Sequence, residues 1–333
     1  MADEWTPFPA MRTSKIGFVG KEEELAVILT LIGSVVILAA LQDLFHTIFH
    51  PTASGGISDW LELQVWRAFR RTGYIGLNFA GPMGFVLVVT YWSSSILVGF
   101  ALIYWPRLPA SFVFASGLDP GHYASFAGAL NISLGSLITT STGVYASSIS
   151  IQFLMGVEAV FGFAILSASI SWILSIYPVL EHRRSLAHEA TLLHFAEERG
   201  IKRLEDVSDS DLQQILLGLA SQLLTHRNEL TQFPITYFFR ENDDATALAG
   251  VLPYLTDIAE MSLKREGAAR AAAAILGGAI DDYLKVIASS FLKRRFSERR
   301  DALRAFARDQ KRTMVRAPAS GRGGFQIHKG PDQ

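Results

Sequence analysis

The chain has 333 residues, of which 50% are hydrophobic and 18% charged, and its formal net charge is −1. This composition is too apolar for an ordinary soluble domain of that length, and the near-neutral charge gives no sign of a nucleic-acid partner. The absence of cysteine excludes disulfides, thiolate nucleophiles and cysteine-ligated zinc. Seven of the 30 lysines and arginines precede position 180 and the others follow it. We therefore expect a membrane-embedded first half and an aqueous second half.

The first long apolar run covers residues 25–42 and contains no charged side chain. A helix needs about 20 apolar residues to cross the hydrocarbon core, so this run predicts a first span. We extend that span to about residue 50, because Pro51 follows. Residues 1–24 lack the order of charged and apolar residues typical of a signal peptide and form an N-terminal segment.

Residues 57–71 have apolar side chains at helical spacing and three arginines near their end. This pattern predicts an interfacial helix on the cytoplasmic membrane surface, with its tryptophans at the level of the headgroups.

A second uncharged stretch predicts a span over about 78–105. Between residues 120 and 180, with histidine taken as neutral, Glu158 is the one charged residue, and this stretch is too long for one span but short for two. Its first part is rich in Ala, Gly, Ser and Thr, which suits protein surroundings better than lipid. We predict a short re-entrant helix and an irregular turn over about 124–146, followed by a third span over about 150–178.

The basic residues indicate the orientation of the chain. Arginines in the 51–78 loop and after residue 181 place both segments in the cytoplasm, and the N-terminus is then outside. Amphipathic helices predict a helical cytoplasmic domain over 181–316, and the polar, Gly-rich segment 317–333 is expected to be disordered. The predicted fold is an all-α, multi-pass protein of the cell membrane, with a transmembrane domain over 25–180.

The order of span, re-entrant helix, hydroxyl-rich turn and span resembles the pore module of the potassium-channel superfamily. The resemblance is carried by ALNISLGSLITTSTG, residues 129–143, against a family pattern of roughly A-L-x-x-S-x-x-T-x-T-T-V-G-Y-G. Residues 25–184 also look like bacterial two-transmembrane pore-loop channels, in which an Asp-Leu-Phe-His segment precedes the pore and a glutamate lies in the last span. Asp43–His46 and Glu158 occupy those places. The direct matches are Ala129, Leu130 and Ser133, with Ser136 in place of a threonine, Thr139 on the filter threonine and Gly143 on the second filter glycine.

The resemblance implies that the selectivity filter reads TTSTG instead of TVGYG. Ser141 would occupy the position of the first glycine, where a Cβ in the left-handed region costs roughly 1–2 kcal/mol. An alternative alignment, shifted by three residues, places the filter at 142–146. Hydroxyl oxygens exert weaker fields than a stack of carbonyls, so we expect passage of monovalent cations (potassium, sodium or both) with weak selectivity. The predicted ion pathway is Thr139, Thr140, Ser141, Thr142 and Gly143.

Other polar and small residues in the predicted spans have more than one interpretation. Glu158, with Ser136, supports the filter from behind, or else binds a cation or relays a proton. Gly162 is the predicted gating hinge, although small residues also mark close helix packing. Asp43, His46 and His50 lie on one helix face and form either a metal or pH-sensing site or a polar stripe at the membrane surface.

The sequence as a whole predicts a homotetrameric cation channel in the lipid bilayer, because one chain supplies a quarter of such a pore. The alternative is a non-conducting, channel-like sensor or scaffold. A membrane enzyme that uses Asp43, His46, His50 and Glu158 is disfavoured, because these residues lie at different depths and no nucleophile is evident. No cofactor is expected.

Overall fold

The computed structural model describes residues 16–49, 56–200 and 204–317, and these are mostly helical. The predicted disordered tail, most of the predicted N-terminal segment and His50 lie outside the described residues. The helices are α1 (Ile16–Phe49), α2 (Ile57–Arg71), α3 (Tyr74–Tyr104), α4 (Pro120–Tyr123), α5 (Phe126–Leu137), α6 (Ile149–Glu198), α7 (Asp209–Gln232), α8 (Leu248–Ser262), α9 (Gly267–Val286) and α10 (Arg299–Asp309), and the strands are β1 (Phe112–Phe114) and β2 (Val144–Ala146).

Three of these helices are long and apolar enough to cross a membrane, over Glu23–Ile48, Gly76–Arg107 and Ile149–Glu198. The three apolar helices expected from the sequence are therefore confirmed. The third of these helices, α6, continues beyond the predicted end of the third span, through Pro178 to Glu198. A proline inside a helix costs roughly 3 kcal/mol. This cost is offset by burial on both sides of Pro178, where Ile176 and Val179 are at most 3% exposed.

The first of two compact units contains the described residues up to Phe45 and Val89–Ser169. Its core includes side chains from α1, α3, α5 and α6. Two glycines allow α1 and α3 to pack closely, because a Cβ on Gly99 would lie 2.5 Å from Ile37 Cγ1 and 2.9 Å from the Gly33 carbonyl oxygen. Small residues at helix crossings are typical of membrane helices.

The two short strands pair antiparallel, with Phe112 opposite Ala146 and Phe114 opposite Val144. These strands were not predicted, because three residues are too few for a recognisable alternation. The pairing brings the chain back at β2 to the point that it left at β1. Helices α4 and α5 are therefore contained in a closed excursion of the chain.

The second unit contains His46–Val88 and the described residues from Ile170 onward. In it α7 and α8 pack against α9, and α10 packs against α8. Ser208 caps α7, because its hydroxyl accepts a hydrogen bond from the Asp211 N–H at 3.2 Å.

Helix α2 belongs to this second core. Trp66 is 3% exposed, and its indole ring lies 5.9 Å from that of Tyr237 and 5.6 Å from that of Phe238. Trp60, in contrast, is 59% exposed. The prediction that both tryptophans lie at headgroup level is therefore wrong for Trp66, because distant aromatic residues that helical periodicity cannot reveal supply its packing partners.

Candidate functional site

The short helix α5 lies among the long helices of the first unit. Ser125 caps it by accepting a hydrogen bond from the Gly128 N–H at 3.2 Å. Ala129, Ile132 and Leu137 enter the core of the unit. With 12 residues, the helix rises about 18 Å, which is well short of the roughly 30 Å of a hydrocarbon core. Helix α5 is therefore apolar and packed, yet too short to span a bilayer.

The chain leaves α5 through a Schellman motif. The Thr139 N–H donates to the Ser136 carbonyl at 3.1 Å, and the Thr140 N–H donates to the Gly135 carbonyl at 2.8 Å. Thr139 adopts φ 56°, the left-handed conformation that glycine usually provides at this position. Hydrogen bonding of the helix end thus places a β-branched residue in a strained conformation.

The position of this residue corrects the sequence-based account of the filter. Within residues 139–143, positive φ values occur at Thr139 and at Gly143, where φ is 73°, and not at Ser141. The penalty predicted for Ser141 is therefore absent, because the turn at the end of α5 takes up the left-handed residue. The alternating backbone of a potassium filter is not reproduced.

The return segment is held against α5 and β1. The Gly143 carbonyl accepts a hydrogen bond from the Ala115 N–H at 2.8 Å, so this oxygen is occupied within the chain. A Cβ on Gly135 would overlap Thr142 Cγ2 and lie 3.2 Å from the Thr140 carbonyl oxygen. Only glycine therefore permits this approach of the return segment to the helix.

Of the predicted ion pathway, Thr139, Thr140 and Ser141 are exposed in the single chain, whereas Thr142 and Gly143 are half-buried. The shifted alignment uses residues 142–146, of which 144–146 are paired with β1. The three exposed residues of the segment 139–143 each carry a hydroxyl group.

Glu158 on α6 is fully buried and hydrogen-bonded to two hydroxyls. Tyr104 Oη lies 2.9 Å from Glu158 Oε2, and Ser133 Oγ contacts Oε1. Ser133 Oγ also lies 2.8 Å from the Leu97 carbonyl oxygen. Each hydroxyl has one proton, so Ser133 either shares its proton between the Leu97 carbonyl and Glu158, or donates to Leu97 and accepts from a protonated Glu158 carboxyl. A neutral carboxyl is also the less costly form in an apolar interior.

These contacts bear on the predicted filter-support pair. The partner of Glu158 is Ser133 rather than Ser136, whose buried Oγ has no hydrogen-bond partner among the residues that the structure describes. Sequence reasoning did not find Tyr104, because a tyrosine near the end of a span is typical of the membrane interface. Glu158 thus connects α6 to α3 and α5.

Gly162 lies where α6 crosses the end of α5. A Cβ at this position would overlap the Leu137 carbonyl oxygen and approach Leu137 Cδ1 to 3.2 Å. A Cβ on Gly156, which lies on a different face of α6, would have no atom within 4 Å. The structure therefore gives Gly162 a packing role, and its role as a hinge stays a prediction.

The polar residues of α1 are partly placed. Asp43 is 7% exposed and accepts a hydrogen bond from Trp92 Nε1 at 2.9 Å. His46 is half-buried, and His50 lies outside the described residues. No group of three or more histidine or carboxylate side chains suited to a metal is found over residues 16–49, 56–200 and 204–317. Asp43 is engaged by an indole, which agrees with a structural role.

In the second unit, one carboxylate connects three segments. Asp309 at the end of α10 accepts hydrogen bonds from Trp66 Nε1 at 3.0 Å and Tyr237 Oη at 2.6 Å, and it pairs with Arg70 at 2.7 Å. Arg240 donates to Asn78 Oδ1 at 2.9 Å. These bonds attach α2 and the start of α3 to the C-terminal helices.

The chain matches no protein-family model, no curated protein and no solved structure. The resemblance to potassium channels therefore stays a prediction from the sequence.

Proposed function

We propose that the chain is one subunit of a homotetrameric pore-loop cation channel. The proposal is carried by the excursion between β1 and β2. Helix α5 advances about 18 Å, and the non-helical segment 138–143 brings the chain back to β2, which pairs with β1. A helix that enters and a non-helical segment that leaves beside the entry point are what a pore loop requires.

A count of membrane crossings supports the re-entrant topology. Helix α2 shares a hydrophobic core with α7–α10, through Trp66 among others, so the two segments lie on the same side of a membrane. Between them the chain crosses at α3 and α6, an even number. A further crossing by residues 120–146 would place α2 and α7 on opposite sides and break this core.

The exposed hydroxyls of the return segment support an assembly of several subunits. In a lone chain in a bilayer, the backbone at 139–141 would face lipid, which is tolerated only where protein or a water-filled cavity surrounds it. Cyclic symmetry about an axis next to these residues provides both. Helix α6 also leaves an apolar face uncovered, with Ile149 84%, Phe153 72% and Phe163 70% exposed, which neighbouring subunits and lipid would cover.

The pore of this channel discriminates weakly between monovalent cations. The Gly143 carbonyl already accepts a hydrogen bond from Ala115, just after β1, and hydroxyl groups supply part of the ion's surroundings. Hydroxyls can replace part of a hydration shell, but they set the ion-to-oxygen distance less rigidly than carbonyl cages. The arginines of α2 and those after residue 181 place the C-terminal helices in the cytoplasm.

The test is the reversal potential of purified protein in planar bilayers, with potassium on one side and sodium on the other. We expect a value near zero, and Thr140→Val should lower the conductance because it removes an exposed hydroxyl at almost constant volume. Ser175→Ala is the control, since Ser175 bonds within its own helix, to the Ser171 carbonyl at 2.9 Å. A potential near the potassium equilibrium value would refute the weak selectivity. Absence of current would instead favour the non-conducting sensor or scaffold.

A further inference from the structure

A large cavity lies in the second unit, between the end of α9, the turn that follows it and the start of α10. It is open to solvent on one side, and its volume of ≈ 1040 Å³ is large enough for a small organic molecule. Leu284, Ala288 and Phe296 supply apolar surface to its lining, and Ser289 and Ser297 supply hydroxyl groups. The cavity thus has room and chemistry for an organic ligand.

The lining of this cavity carries an excess of positive charge. Arg299 is neutralised by Asp281, with nitrogen–oxygen distances of 2.6 and 2.7 Å, and lies 3.9 Å from Glu260. Glu298 is the remaining acidic residue of the lining. Four basic residues of the lining form no ion pair within the part of the chain that the structure describes: Lys285, Lys293, Arg294 and Arg295.

The backbone around the cavity is irregular where these cations lie. Residues Ile287–Leu292 form a π-helical turn, and Lys293 after it adopts φ 51°. Both features are uncommon and cluster at functional sites. Glycine would occupy the left-handed position without strain, so the lysine at 293 contributes something other than backbone freedom.

The first turn of α10 completes the site. This helix has 11 residues and begins at Arg299, and Glu298 at its N-cap makes no side-chain hydrogen bond to it. Free N–H groups at a helix start favour anions, phosphate above all. The four unpaired cations are exposed and favour an anionic ligand, and they outnumber the two acidic residues at the start of α10, Glu298 and Asp301.

We propose that this cavity binds the phosphoryl groups of a polyanionic ligand, either a soluble di- or triphosphate or the headgroup of an anionic phospholipid. Arg294 and Arg295 would bind phosphate oxygens in the bidentate manner of guanidinium groups. Because the cavity is far larger than an inorganic phosphate, the ligand's organic part lies against Phe296. This site is independent of conduction and exists whether or not the chain forms a pore.

The soluble arm of the test is calorimetric titration of the full chain in phosphatidylcholine nanodiscs with pyrophosphate and with ATP. We expect binding that Arg294→Gln combined with Arg295→Gln weakens at least about tenfold, as loss of charge-assisted hydrogen bonds predicts. Arg304→Gln is the control, since Arg304 lies on α10 outside the cavity and pairs with Asp301 at 3.5 Å. If Arg304→Gln weakened binding equally, the weakening would follow from the lower net charge of the chain and not from the cavity, and the proposal would be overturned.

The lipid arm uses nanodiscs with and without phosphatidic acid. If the headgroup is the ligand, phosphatidic acid should raise the melting temperature of the wild-type chain but not that of the double variant. Lys293→Gly separates the site from the fold, because it should raise the melting temperature without ligand while weakening whichever anion binds. Failure of pyrophosphate, ATP and phosphatidic acid alike to bind would overturn the proposal.

Discussion

Replacement of Glu158 tests whether the buried carboxyl acts as a neutral hydrogen-bonding group. A glutamine amide has one donor and one acceptor end, so it can accept from Tyr104 and donate to Ser133, as the protonated acid does. Glu158→Gln should therefore cost less than about 1 kcal/mol. Glu158→Ala leaves the buried Tyr104 hydroxyl without its acceptor, at about 1–3 kcal/mol, and opens a cavity as well.

The assay is unfolding of the purified protein in detergent, followed by tyrosine and tryptophan fluorescence, together with bilayer conductance. Tyr104→Phe, alone and combined with Glu158→Ala, completes a double-mutant cycle, and we expect a coupling energy of about 1 kcal/mol between the two positions. If Glu158→Gln were as destabilising as Glu158→Ala, the carboxyl would have to be ionised, and the proton count proposed for this site would be refuted.

Four further predictions concern packing, backbone and pH. Gly162→Ala should destabilise the fold and abolish conductance, because the added Cβ meets the Leu137 carbonyl oxygen. Gly156→Ala is the control and should change little, because the space around Gly156 is open. If thermal unfolding showed Gly156→Ala to be the more destabilising of the two, the packing role of Gly162 would be contradicted. Thr139→Gly should stabilise the protein by roughly 1 kcal/mol by relieving the left-handed threonine, and a loss of stability in denaturant titration would argue against the Schellman turn. Asp309→Asn should loosen α2, seen as faster hydrogen exchange of residues 57–71, whereas exchange confined to α10 would show that the carboxylate does not hold α2. Burial lowers the pKa of His226, whose Nδ1 lies 3.8 Å from Glu229, so the unfolded chain binds the proton first. Its contribution to stability is complete above pH about 6.5 and falls as the pH drops below that value, and His226→Leu should remove this slope.

The sequence contained enough information to predict the long apolar helices and the short helix between them. Long uncharged runs are typical of helices that lie in lipid. The Ser/Gly/Thr composition of residues 124–146 is typical of a segment surrounded by protein. The continuation of α6 past Pro178 could not be predicted, because Pro178 is a local stop signal, while the burial of Ile176 and Val179 that overrides it depends on distant contacts.

The details of the candidate site were less predictable. The motif located residues 139–143, but which residue adopts a positive φ is decided by hydrogen bonds at the end of α5. The hydroxyl partners of Glu158 lie 25 and 54 residues away along the chain. Such pairings follow from helix crossings, which spacing in one sequence does not encode. The packing roles of Gly135 and Gly162 could not be predicted either. They depend on how α5 packs against its neighbours, which leaves no room for a Cβ at these two positions.

The shortness of α5 has a consequence for how the chain enters a membrane during synthesis. On the proposed topology, the insertion machinery must retain α3 and α6 in the bilayer and release the apolar segment between them to the outer side. A 12-residue helix is a poor substrate for lateral release into lipid. Helix α5 would therefore pass through and later enter the bilayer from outside, after α3 and α6 have formed its walls. Ser133 could then reach Glu158 only at this late stage, so the buried hydrogen bond would close last.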